Sequence, residues 1–73
     1  MKASDHRIAE LLGGDARLAA EDDDSVMRNC FADPFFVVEF GGPGEHEQWK
    51  ELATAWYHGW DDMTDTLVLK VLG

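Results

Sequence analysis

"EHEQWKELATAWYH", residues 45–58, carries the clearest hydrophobic periodicity in the chain, and the fold is predicted outward from it. Its large apolar side chains recur at i, i+3, i+4, i+7 and i+8, which is the spacing of one face of an α-helix. The segment therefore predicts an amphipathic helix whose apolar face lies on the core. Gly59 suits the left-handed position just past a helix end, and Trp60 is expected to fold back onto the last turn. The residues of the apolar face are Trp49, Leu52, Ala53, Trp56 and Tyr57.

The segments on either side of this helix are rich in β-branched and aromatic residues, which is typical of strands. "PFFVVEF" predicts a strand over 35–40, and "TLVLKVL" predicts a strand over 66–72. Strand, helix and strand can form a parallel pair joined by a right-handed crossover. Glu39 and Lys70, the lone charges of the two strands, are then expected to pair on the outer face of the sheet.

The N-terminal part of the chain predicts short helices. Apolar residues spaced i, i+3 and i+4 predict a helix over 5–12, which Gly13 and Gly14 end. Residues 15–20 fit either one helical turn or a short strand. A further helix is predicted over 25–32, with a strand as its rival. The whole pattern predicts an α+β fold: short N-terminal helices, then strand–amphipathic helix–strand, with the helix packed on a small sheet.

Length and composition restrict the class of protein. The 73 residues suffice for a single compact domain, 1–73, and 45% apolar residues supply a core. No apolar run approaches the roughly 20 residues of a membrane-spanning helix, and the first residues lack the apolar region of a signal peptide. A single cysteine cannot form an internal disulfide, which fits a reducing compartment. We therefore expect a cytoplasmic protein.

No catalytic or metal-binding motif is recognised in the sequence. His46 and His58 stand twelve residues apart on the predicted helix, about 18 Å, and cannot share an ion. A calcium loop starting at Asp22 fails, since its fifth and sixth positions hold valine and methionine instead of an oxygen ligand and glycine. Cys30 falls on an apolar face and is interpreted as a core residue rather than a nucleophile. We expect no enzymatic activity, no cofactor and no metal.

The charge of the chain is its most unusual property. Fifteen acidic residues against six basic ones give a net charge of −9. Three clusters, 21–24, 45–51 and 61–65, exceed what helix capping needs. In the predicted helix Glu47 and Glu51 stand at i and i+4, a like-charge spacing that costs about 0.2–0.5 kcal/mol. We expect the three clusters to lie on one side of the fold and to bind a partner through Glu21, Asp22, Asp23, Asp24, Glu45, Glu47, Glu51, Asp61, Asp62 and Asp65.

An acidic surface of this kind repels nucleic acid and anionic membranes, and it attracts basic proteins. In its whole format the chain resembles the small acidic anti-CRISPR proteins encoded by phages, in particular those that act as DNA mimics on type I surveillance complexes. The segments that carry the resemblance are "EDDD" at 21–24, "EHEQWKE" at 45–51 and "DDMTD" at 61–65. The resemblance implies a stoichiometric inhibitor in the host cytosol, whose acidic surface occupies a Lys/Arg-rich DNA or PAM site on a Cas subunit.

A second hypothesis is a small cytosolic adaptor that binds another protein through an aromatic anchor. It depends on Trp49, Trp56 and Trp60, because exposed tryptophan is typical of binding hot spots. The helical spacing of these residues favours core packing instead. In either case we expect a monomer that does not bind nucleic acid directly.

Overall fold

The computed structural model describes residues 3–21 and 26–72. Within these stretches the chain is helical and contains no strand, so the predicted α+β class with its sheet is wrong. None of the helices in the described stretches combines the length and the apolar character that a bilayer-spanning helix needs. The elements are α1 (Ala3–Ala19), a 3₁₀ turn (Cys30–Ala32), α2 (Pro34–Phe40) and α3 (Trp49–Leu72).

The helix predicted over 45–58 is real, but it begins later and ends much later. It begins at Trp49, and it continues through Gly59 to Leu72 without a break. The strand predicted over 66–72 is therefore wrong: that segment forms the last turns of α3. Its threonine is accommodated in the helix because the Thr66 hydroxyl donates to the carbonyl oxygen of Asp62 at 2.9 Å, one turn back. Gly59 does not end the helix.

The strand predicted over 35–40 is also wrong, because strong local signals make this segment a short helix. The Asp33 side chain accepts a hydrogen bond from the backbone N–H of Phe35 at 3.0 Å, and Pro34 occupies the first turn. Gly41, at φ 72°, ends α2 in a conformation that favours glycine. Without a sheet in the described residues, the expected pairing of Glu39 with Lys70 across two strands has no basis.

The N-terminal helix is longer than the sequence indicates. α1 runs through Gly13 and Gly14, and it takes up nearly all of the ambiguous segment 15–20. The helix predicted over 25–32, of which residue 25 lies outside the described residues, is reduced to the 3₁₀ turn. The Phe31 N–H of this turn donates to the side-chain oxygen of Asn29 at 3.0 Å. Its apolar periodicity was too short to distinguish a full helix from a single turn.

Helices α1 and α3 pack against each other at glycines. A Cβ atom built on Gly13 would overlap the backbone oxygen of Trp56, and one built on Gly59 would overlap the backbone oxygen of Glu10. The two backbones therefore come closer than larger side chains would allow. Both glycines were interpreted as helix ends, but they are contact points between helices.

The two long helices run in the same direction, since their contacts advance together along both. Gly13 lies against Trp56, and further on the Arg17 guanidinium donates to the Thr64 hydroxyl at 2.8 Å. The connection between the helices therefore returns to the start of the bundle, and it lays the 3₁₀ turn and α2 against the core. The buried apolar residues are Ala9, Cys30, Phe36, Phe40, Leu52, Ala53, Ala55, Trp56 and Trp60.

Candidate protein-binding surface

The structure describes seven of the ten acidic residues that the sequence assigned to a binding surface. Asp22, Asp23 and Asp24 lie outside the described residues. Glu21 is exposed just after α1, and the other six lie in the turn before α3 or on α3 itself. Glu47 precedes the helix, so the helical i, i+4 repulsion predicted between Glu47 and Glu51 does not arise.

One exposed face of α3 carries a row of carboxylates, which we call the acidic face: Glu51, Asp62 and Asp65. Because α3 is continuous, the eleven residues from Glu51 to Asp62 make about three turns and return to nearly the same side of the helix. Glu51 and Asp65 are about 21 Å apart along the axis. All three residues are exposed. Asp65 points away from Trp56, whereas Glu51 and Asp62 lie nearer to α1, where Asp62 lines a shallow pocket together with Arg7 and Glu10.

Asp61, next to this face, is occupied by an internal contact. The Arg28 guanidinium donates to both carboxylate oxygens of Asp61, at 3.0 and 2.8 Å, and lies 4.9 Å from the centre of the Tyr57 ring. This bidentate pair is the strongest geometry for an arginine and a carboxylate. The pair holds the segment before the 3₁₀ turn against α3. The role of Asp61 is therefore first of all to stabilise the fold.

The Asp61–Arg28 pair has a consequence for stability in acid. Hydrogen bonds from Arg28, and next the charges of Arg28 and His58, outweigh partial burial and hold the pKa of Asp61 below its usual 3.8. The pair therefore contributes its full stability above about 3.8 and loses it as the pH falls through the lower pKa of the folded state. Because 52% of the Asp61 side chain is exposed, screening limits the contribution to about 1 kcal/mol or less.

We expect Asp61→Asn to flatten the acid limb of the stability profile. Urea unfolding, followed by tryptophan fluorescence from neutral pH to below 3.8, measures the effect. Asp62→Asn is the matched control, because it removes the neighbouring carboxylate and leaves the hydrogen bonds from Arg28 to Asp61 in place. If both variants keep the acid limb of the wild type, the ion pair does not contribute to folding.

The arginines of the described chain are engaged by internal contacts. Arg7 lies 3.6 Å from Glu10 within α1, Arg28 holds Asp61, and Arg17 is buried beside Thr64 and the Trp60 ring. A cation that is already paired offers little compensation to carboxylates elsewhere.

A second surface feature was not foreseen from the sequence. A cavity of about 300 Å³ opens between α1 and the 3₁₀–α2 segment, and its lining is mostly apolar. Trp56, itself fully buried, lies at its floor, and Phe35 at its rim is 72% exposed. We call this cavity the apolar groove; its lining residues are Leu12, Asp15, Ala16, Ala19, Met27, Ala32, Asp33, Pro34, Phe35 and Trp56. The sequence did not predict this groove, because a strand over 35–40 would have placed Phe35 on one face of a sheet instead.

The Cys30 thiol is buried in the core, and the partly buried Tyr57 hydroxyl lies beside it. Burial raises the pKa of the Cys30 thiol, which favours the protonated form over the thiolate. Burial likewise raises the pKa of Tyr57, whose hydroxyl lies 3.5 Å from the Cys30 backbone nitrogen. In the part of the chain that the structure describes, no group of three or more His, Cys, Asp or Glu residues is placed to hold a metal ion.

The tryptophans belong to the core rather than to an exposed anchor. Trp56 and Trp60 are fully buried and stack at 5.5 Å between ring centres. Trp49 is half-buried, and its indole N–H donates to the Gly41 carbonyl oxygen at 2.9 Å. The helical spacing had favoured core packing for these residues, and the structure confirms it.

Comparison of this chain with protein-family models, with curated proteins and with solved structures gives no match.

Proposed function

We propose that the chain is a non-enzymatic inhibitor that binds the Lys/Arg-rich nucleic-acid site of another protein through the acidic face of α3. The observation that carries this proposal is the row of exposed carboxylates, Glu51, Asp62 and Asp65, on one side of a continuous helix. A protein site built for phosphates presents cations to an extended row of anions. A rigid helix presents its carboxylates without a folding cost on binding.

Electrostatic steering supports the same proposal. A net charge of −9 on 73 residues accelerates encounter with a basic surface and opposes encounter with nucleic acid itself. The resemblance to phage-encoded anti-CRISPR proteins makes the DNA or PAM site of a type I Cas surveillance complex the first partner to test. A cytosolic setting is part of the proposal, since the chain's single cysteine cannot form an internal disulfide.

The test is competition between the chain and DNA. We expect the wild-type chain to displace labelled PAM-containing duplex from purified type I surveillance complexes in a gel-shift assay, and to do so less well as the salt concentration rises. Asp62→Lys and Asp65→Lys are each expected to weaken displacement by about tenfold, or about 1.4 kcal/mol, because each replaces an attraction by a repulsion.

Glu39→Lys is the matched control. It makes the same change of formal charge, from −9 to −7, but it lies on α2, away from the acidic face. We expect its displacement curve to stay close to that of the wild type. If all three variants lose displacement equally, net charge alone explains the loss, and the acidic face is rejected as the binding site. Failure of the wild type to displace DNA at low salt from any of the complexes would reject the proposed function.

A further inference from the structure

The face of α3 that packs on the core continues beyond its partner helix. α1 ends at Ala19, close to the contact between Arg17 and Thr64, whereas α3 runs on to Leu72. Leu67 lies eleven residues after Trp56, about three turns, and so on nearly the same side of α3. It is half-buried, and Val71, one turn later on the same side, is 86% exposed. An apolar core face therefore projects past the fold that it helps to form.

The apolar groove is complementary to this projecting face. The groove is lined by apolar side chains around Trp56, and its charged lining residues are Asp15 and Asp33, both acidic. The projecting face is apolar and carries Lys70, an exposed cation one turn after Leu67. Asp33 is engaged with the Trp56 indole, which leaves exposed Asp15 as the carboxylate at the groove for an incoming cation.

Within one chain the projecting face cannot reach the apolar groove. The groove at Trp56 and the projecting face at Leu67 to Val71 lie about 17–22 Å apart along one unbroken helix. A second copy placed antiparallel to the first brings the projecting face of each chain over the groove of the other. The arrangement is two-fold symmetric, as in most soluble homodimers, and makes the same contact twice.

We propose that the chain forms a symmetric antiparallel dimer in which Leu67, Lys70 and Val71 of each copy occupy the apolar groove of the other, with Lys70 facing Asp15. This arrangement removes the exposed apolar surfaces at Phe35 and Val71 from water. It leaves Glu51 and Asp65 of the acidic face free, because both point away from Leu67 on α3. The dimer thus presents two acidic faces, and its existence does not depend on the proposed function.

Sedimentation equilibrium of the purified full chain over a wide concentration range tests the dimer. We expect a mass of 16.4 kDa, twice the 8.2 kDa of one chain, at high concentration. Val71→Asp is expected to raise the dimer dissociation constant by at least about tenfold, because it places a carboxylate in an apolar, acidic groove. A wild-type chain that stays at 8.2 kDa throughout overturns the proposal.

Leu69→Asp is the matched control, since Leu69 is 69% exposed on the same turns of α3 but points to the opposite side from Trp56. It should dimerise like the wild type; a loss equal to that of Val71→Asp would mean that another surface holds the dimer. A charge exchange gives a second test. Lys70→Glu and Asp15→Lys should each weaken the dimer, and the double variant should recover most of the loss. Purely additive losses would reject the Lys70–Asp15 contact, and circular dichroism confirms that each variant is folded.

Discussion

Gly13→Ala is expected to destabilise the protein by about 2–4 kcal/mol, although alanine is the better helix former by about 1 kcal/mol. The new Cβ atom would overlap the backbone oxygen of Trp56, and backbone cannot rotate away as the end of a side chain can. Helices α1 and α3 would have to separate and open the packing around Trp56. For a chain of this size, with a stability of about 4–11 kcal/mol, the loss is a large fraction of the total.

The neighbouring glycine supplies the control. A Cβ atom on Gly14 would lie 3.5 Å from the methyl end of Met63, an ordinary van der Waals distance. Gly14→Ala should therefore be neutral or stabilising, by up to about 1 kcal/mol from helix propensity. Urea unfolding monitored by tryptophan fluorescence compares the two variants directly. Gly59→Ala, which meets the backbone oxygen of Glu10, should behave like Gly13→Ala. Opposite signs at Gly13 and Gly14 are the expected signature; equal effects would contradict the close approach.

Asp33→Ala is expected to cost about 2–4 kcal/mol, because one buried carboxylate makes two essential hydrogen bonds. Its Oδ1 accepts from the Phe35 N–H at the start of α2, a cap that contributes about 1 kcal/mol. Its Oδ2 accepts from the Trp56 indole N–H at 2.7 Å. Removal leaves that buried N–H unsatisfied, at a cost of about 1–3 kcal/mol. The carboxylate thus joins the capping of α2 to the centre of the core.

A double-mutant cycle with Trp56→Phe separates the two contributions. Phenylalanine has no N–H, so Asp33→Ala in this background should lose only the cap and cost about 1–2 kcal/mol less than in the wild type. Asp33→Ser retains a capping oxygen and should recover the cap but not the bond to Trp56. Chemical denaturation with circular dichroism at 222 nm provides the free energies. Additive costs would show that the Asp33–Trp56 hydrogen bond makes no net contribution.

The sequence predicted a helix correctly where the periodic pattern was long, and it predicted the wrong element where the apolar run was short. The periodic face from Trp49 to Trp56 identified the core of α3, and Leu52, Ala53 and Trp56 are buried as expected. Cys30 is likewise the core residue that its position indicated. The apolar runs at 35–40 and 66–72 are compatible with strand and helix alike, because they are too short and too uniformly apolar for periodicity to separate the two. Their β-branched residues favoured strand, a preference that depends on context.

The surface was predictable only in part. Composition identified the acidic excess, and the continuity of α3 aligns Glu51, Asp62 and Asp65 in a way that a helix ending at Gly59 would have broken. Sequence distance gave no indication that Arg28, thirty-three residues from Asp61, would pair with it. The apolar groove is lined by α1, the 3₁₀–α2 segment and α3, which are distant from one another in the sequence, and no local pattern could have predicted it.

The charge of the protein, the absence of recognised catalytic motifs and the face of α3 that enters the core could all be read from the sequence, because they follow from residue type and from the 3.6-residue period. The fold class depends on contacts between helices that are distant in the sequence. Gly13 and Gly59 have the local character of helix ends, yet each lies where a helix backbone meets another, and that contact is favourable only once both helices exist. Such contacts prevail because helix propensity contributes only a few tenths of a kcal/mol per residue, whereas burial of a large side chain such as Trp56 contributes about 1.5–3 kcal/mol or more.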